Sequence, residues 1–303
     1  QDDAAAILAA HGLARRGLVD FLGMTVVAGN VGIDLAAKNA RIVCDWAGEK
    51  DFPVYAGAVK PLLRELETAE AVHGKTGLDG TALHEPRCPL QKQHAVAYLV
   101  ETLSRAEDAS MTLCPIGPLT NIALALSIAP EAVRAIKRIV LMGGNYFEAG
   151  NMTPAAEFNF FTDPHAAQIV LQSGAPITVL PLDVTHKAQI TSERMNRLRR
   201  LKNANGSRLA DILQSYERFD IQQFGLEGGP LHDPCAVICA VFPELFSGRM
   251  CRVDVETQSG LSTGACAVDW HGTTGKAPNA LWITEVDADR MFEELTAAIA
   301  ELP

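Results

Sequence analysis

Three short stretches hold the residues with most chemistry to offer. Asp2 and Asp3 stand together at the front of the Ala- and Leu-rich run DDAAAILAAH. His232 and Asp233 follow a glycine pair in GGPLHDPCAV. Asn151, Glu157 and Asn159 lie in GNMTPAAEFNFFTDP, a segment without helical or strand rhythm. Adjacent carboxylates suit a helix dipole, a hard cation or a polyol, and all three uses stay open at this point. An Asp before Pro, leading into an apolar run, predicts Asp233 as a helix N-cap with Pro234 at the first helical position. A cap accounts for Asp233 but not for His232, whose imidazole beside a loop carboxylate suits proton transfer. Glu157 and Asn159 are two apart, so in extended chain they point to one face. A carboxylate and an amide on one face are equipped to hold vicinal hydroxyls. Their neighbours Ala155, Ala156, Phe158, Phe160 and Phe161 predict a buried segment, whose polar groups then need partners.

These residues must be positioned by the elements around them. Helix-like and strand-like segments alternate: the helix DDAAAILAAH ending near Gly12 or Gly17, the strand FLGMTVVAGN, the helix LAAKNARIVCDWAG, the strand FPVYAG. The alternation continues through AVAYLVETLSRAED, SMTLCPIG, LTNIALALSIAP, IKRIVLMGGN, PHAAQIVLQSG and the strand PITVLPLDV. It predicts an α/β fold, an open and mostly parallel sheet of Rossmann-like kind with helices on both faces. Four strands end in clusters of Gly, Asn or Asp: VVAGN, LCPIGPLTN, VLMGGN and VLPLDVTH. In open parallel sheets the site lies at those carboxyl ends, so the four clusters are expected to converge. After about residue 190 two helical stretches, the GGPLHDPC segment, three late strands and a final helix follow. Residues 1–303 read as one domain, without repeat, low-complexity tract or linker.

Composition narrows the partners. The formal net charge is −10, spread along the chain, which disfavours nucleic acid and anionic lipid and suits cations and neutral polyols. Seven cysteines, an odd number with no C-x-x-C pair, read as buried free thiols of a reducing compartment. No apolar run approaches a membrane span, so the cytoplasm is the expected location. No G-x-G-x-x-G follows a first strand, which argues against a nicotinamide-dependent oxidoreductase. No G-x-S-x-G occurs, and Thr120 has no evident base, which argues against a hydroxyl-nucleophile hydrolase.

Seven motifs occur in order: QDDA, VVAGN, HGKTGLDG, GPLTNIALAL, VLMGGN, AEFNFFTDPHAA and GGPLHDPC. Together they resemble the inosine–uridine preferring nucleoside hydrolases, essentially from end to end. The resemblance implies an open α/β sheet with a calcium ion at the bottom of the crevice. It implies calcium-dependent hydrolysis of the N-glycosidic bond of a small-molecule ribonucleoside, by a homodimer or homotetramer. Asp3, Asp233 and the backbone carbonyl of Ile116 match calcium ligands. Asp2, Asn30, Asn151, Glu157 and Asn159 match ribose-contacting positions, and Met142 matches a residue lining the same pocket. His232 matches the proton donor to the departing base, and His73 matches a loop residue near the base. Phe224 stands where some relatives carry a base-contacting tyrosine, and purine or pyrimidine preference stays open. The family's first motif is Asp-x-Asp-Pro-Gly-x-Asp-Asp, and this chain starts at the x before the closing pair. The resemblance therefore implies a first strand ahead of Gln1, whose aspartates supply a further calcium ligand and the general base. Hydrolysis is expected to need that base; binding of a ribosyl compound without turnover is the alternative.

Overall fold

The computed structural model describes residues 1–69, 76–78, 80–224 and 228–303, with the side chains of 215–224 outside the description. The first half runs through helix α1 (Asp2–Arg15), strand β1 (Met24–Val26), α2 (Ile33–Ala47), β2 (Val54–Ala56), α3 (Ala95–Arg105) and β3 (Met111–Leu113). Then come α4 (Thr120–Ile128), β4 (Ile136–Met142), α5 (Phe158–Thr162), α6 (Pro164–Leu171) and β5 (Ile177–Leu180). The second half continues with α7 (Leu182–Thr185), β6 (Gln189–Ile190), α8 (Ser192–Arg199), α9 (Ala204–Phe224), β7 (Gly229–Pro230) and α10 (His232–Val241). Strands β8 (Phe246–Val255), β9 (Cys266–Asp269) and β10 (Ala280–Val286) and helix α11 (Ala288–Ala300) complete it.

The main sheet has the order β3-β4-β5-β10-β8-β9. Strands β3, β4, β5 and β10 pair in parallel, and β8 and β9 add an antiparallel edge. The α/β architecture is as expected, with this antiparallel edge as its mixed part. Alternation along β4 explains the two-sided packing. Val140 and Met142 face a core built with α1, α2, α10 and α11, whereas Ile139 and Leu141 face one built with α3, α4 and α6. One expectation fails at β5. The predicted strand PITVLPLDV ends at Leu180, and Leu182–Thr185 form a helical turn instead. Pro181 has no N–H to give the ladder, so pairing stops there.

Strands β1 and β2 form a separate parallel pair. Among the described residues β1 pairs only with β2, and β3 only with β4. A cavity of about 690 Å³ lies between them, lined by Met24 and Val26 of β1, Met111 and Leu113 of β3, Ile7 of α1 and Val237 of α10. Its lining also includes Asp3, Asn30, Ile116 and Asn159.

Helix α1 runs through Gly12 to Arg15 rather than stopping at the glycine. The glycine is there for approach: a Cβ would lie 2.0 Å from the backbone oxygen of Ala298 on α11. Neither backbone has a flexible end to yield, so the two helices would have to separate. Gly12→Ala is expected to destabilise the protein by about 1–3 kcal/mol despite its better helix propensity. A urea unfolding midpoint unchanged or raised in this variant would contradict the packing role.

Candidate active site

Two helix N-termini meet at the carboxyl ends of the strands. The backbone N–H of Asp233, in the first turn of α10, donates to Asp2 Oδ2 at the start of α1, at 3.4 Å. Asp2, Asp3 and Asp233 each present a carboxylate oxygen, and the three oxygens lie within 4.8 Å of one another. Asp2 and Asp233 are buried and Asp3 is half-buried. Among the described residues no lysine or arginine pairs with them. Burial, then the charges of Asp2 and Asp3, push the Asp233 carboxyl well above the usual carboxylate range. Asp233 is not the N-cap that its sequence suggested. The helix starts at His232, the cap position is Leu231, and no side chain of the segment caps it. Asp2, reaching across from α1, accepts the N–H that a local cap would have taken.

The segment around Glu157 departs from the expected extended chain. Phe158–Thr162 is a short helix, and Glu157 is its N-cap. Glu157 Oε1 accepts from Asn159 N at 2.8 Å, and Oε2 from Gly144 N at 2.9 Å and Phe160 N at 3.1 Å. These bonds favour the carboxylate, but complete burial outweighs them and raises Glu157 to about 7. The Asn159 amide donates to Ile116 O at 3.3 Å, Met142 O at 3.2 Å and Met142 Sδ at 3.4 Å, joining the ends of β3 and β4. Asn151 Oδ1 accepts from Phe158 N at 2.9 Å. Asn30, beyond β1, donates to Asp3 Oδ2 at 3.5 Å. The strand-end clusters thus converge through named side chains.

His232 is buried, and its Nδ1 lies 2.7 Å from the hydroxyl of Thr185. Burial lowers His232 to about 4, against the opposing charge of Asp2, so the resting ring is neutral. Its neighbours were not foreseen as site residues. His186 stands with its ring centroid 5.8 Å from that of His232, and its Nδ1 lies 3.6 Å from Glu148 Oε2. Asp183 Oδ1 accepts the N–H groups of Tyr146, Phe147 and Glu148, each at 3.0 Å, and Oδ2 accepts from Trp282 Nε1 at 2.7 Å. The polar cluster VLPLDVTH was the signal for these residues. His73 lies outside the described residues, as does the side chain of Phe224 at the end of α9.

A fold of this kind, with a carboxylate cluster where strands and helix N-termini meet, is matched by known proteins. Residues 1–293 match the family model of the inosine-uridine preferring nucleoside hydrolase, and the chain belongs to that family. It is 44% identical over 300 residues to the pyrimidine-specific ribonucleoside hydrolase RihA of Shewanella sp. (strain ANA-3), covering 99% of this chain and 93% of that one. It is 42% identical over 279 residues to the protein of that name from Enterobacter sp. (strain 638), covering 92% and 88%. The solved purine-preferring ribonucleoside hydrolase from Gardnerella vaginalis superposes with a TM-score of 0.90 at 29% identity, covering 99% of this chain and 95% of that one.

Glu157 carries a pH signature. Its folded value, raised to about 7, exceeds its ordinary value of 4.5 in the unfolded chain. The protonated native state is therefore favoured: the contribution is full below the unfolded value and is lost as pH rises through about 7. Unfolding free energy measured in chelator should fall over that window, and Glu157→Gln should flatten the fall. An equally steep profile in the variant would refute this assignment.

Proposed function

We propose that this protein hydrolyses the N-glycosidic bond of a ribonucleoside, with calcium held by Asp3, Asp233 and the carbonyl of Ile116. The observation that carries the reading is the gathering of three carboxylate oxygens within 4.8 Å, two of the side chains buried, with no basic side chain paired to them among the described residues. Buried like charges need compensation, and an all-oxygen donor set suits a hard dication. The Ile116 carbonyl accepts one bond from Asn159 and retains a second lone pair for such an ion. Bound calcium supplies an acidified, oriented water and sites for sugar hydroxyls.

The chain's own groups do the rest. Asp2, Asn30, Asn151, Glu157 and Asn159 hold the ribose, and Met142 walls the pocket. Asn151 turns its oxygen to Phe158 N–H, which leaves its NH₂ to donate to a hydroxyl. Asn159 turns its NH₂ to Ile116 and Met142, which leaves its oxygen to accept one. Donor and acceptor side by side favour a vicinal diol over a single hydroxyl. Gripping the ring as it flattens toward an oxocarbenium ion is binding that strengthens in the transition state. His232 donates a hydrogen bond to the departing base. Relatives 44% identical are named pyrimidine-specific, so uridine is the first substrate to assay, with inosine beside it.

Base release from uridine and inosine, followed with and without chelator, tests the reading. Hydrolysis that chelator abolishes and calcium restores is expected. Calcium and ribose binding without base release would instead favour a binding protein. Asp233→Ala should lose both calcium binding, read by calorimetry, and hydrolysis; wild-type calcium content in that variant would remove Asp233 from the ligand set. His232→Ala should slow uridine by about 10²–10⁴-fold while slowing an activated aryl riboside much less. Equal losses on both substrates would rule out leaving-group assistance.

A further inference from the structure

The turn Leu182–Thr185 is held more firmly than its length would suggest. Asp183 fixes it to the 146–148 loop and to Trp282 through four hydrogen bonds. Just beyond it, Ala188 O accepts from Leu231 N at 3.0 Å, and β6 pairs antiparallel with β7. The residues flanking Thr185 and those flanking His232 are thus tied to one another by backbone bonds. Between those ties the fully buried Thr185 hydroxyl meets His232 Nδ1 at 2.7 Å, joining positions 47 apart in sequence.

We propose that Thr185 is the positioning residue of His232: its hydroxyl donates to Nδ1 and so presents Nε2–H as a hydrogen-bond donor to the leaving group, the ring keeping its proton while the departing base takes one from water. A neutral imidazole has one donor and one acceptor nitrogen, and the bond made by one fixes the role of the other. With Nδ1 accepting, the single proton resides on Nε2, the nitrogen left for a ligand. The bond also fixes the ring's rotation about its side-chain axis, so Nε2 keeps one direction. A valine of nearly the same shape would preserve the packing but remove the donor, and the ring would take both tautomers and more than one rotamer. This inference rests on the role proposed above for His232, and it assigns that role a supporting group.

Thr185→Val and Thr185→Ser are the test variants, read in two ways. Ring-nitrogen NMR of His232 in the intact chain should show the Nε2–H tautomer in the parent and in Thr185→Ser, and mixed tautomers in Thr185→Val. An Nδ1–H ring in the parent, or an unchanged ring in Thr185→Val, overturns the proposal. In turnover, Thr185→Val should lower kcat on uridine roughly tenfold or more with KM nearly unchanged, and barely alter kcat on an activated aryl riboside. Thr185→Ser should recover most of the loss. Equal losses on both substrates, or no rescue by serine, would reduce Thr185 to a packing role. A parent chain without turnover would count against the functional reading alone, and the ring spectrum would still decide the role of Thr185.

Discussion

Three carboxylate oxygens confined within 4.8 Å repel one another, and much of the molecule is arranged around that repulsion. One like-charged pair at such a separation costs about 3.5 kcal/mol at an effective dielectric of 20. A helix N-terminus in a favourable, partly buried geometry offsets up to about 2 kcal/mol. Two such ends, those of α1 and α10, converge here, so they cannot cancel three pairwise repulsions. The remainder must be met by protonation or by a bound cation. The upward displacement of Asp233 is the first outcome, and the oxygen-only surroundings fit the second. A cluster this costly is hard to explain by stability and easy to explain by ligand binding.

The surrounding polar groups are held by different means. Glu157 accepts from three backbone N–H groups and so starts the helix carrying Asn159. Asn159 in turn joins the ends of two strands. Asp183 accepts four bonds and fixes a loop to a turn. Each side chain closes its local backbone account before it faces the crevice, as buried polar groups must. The result is a pocket whose polar groups are fixed in advance by backbone geometry.

The alternation of elements and the clusters at strand ends were legible in the sequence because burial on both sheet faces and the need for glycine-rich turns write themselves into residue type. The motif set made the family legible as well, and the family model covers 1–293. Local geometry was less legible. The spacing of Glu157 and Asn159 reads equally as extended chain or as cap and first helical turn, and long-range hydrogen bonds to Gly144, Ile116 and Met142 favour the second. Asp233 before Pro234 looks like a cap, but the partner of its N–H comes from Asp2, 231 positions away, which no local pattern can reveal. Thr185 and His186 lie in the polar cluster VLPLDVTH, but a hydroxyl and an imidazole there acquire a role only from what stands opposite them, as His232 does for Thr185.

The cavity between β1 and β3 has a mechanical consequence. A continuous ladder transmits shear along rows of backbone hydrogen bonds, whereas β1 is tied to the helix Thr120–Ile128 by one side chain: Asn121 donates to Val26 O at 3.0 Å and accepts from Ala58 N at 2.9 Å. Asn30 follows β1 and Ile116 follows β3, so displacement between them loads that single amide, while the β4 and β5 ends are held by the ladder itself.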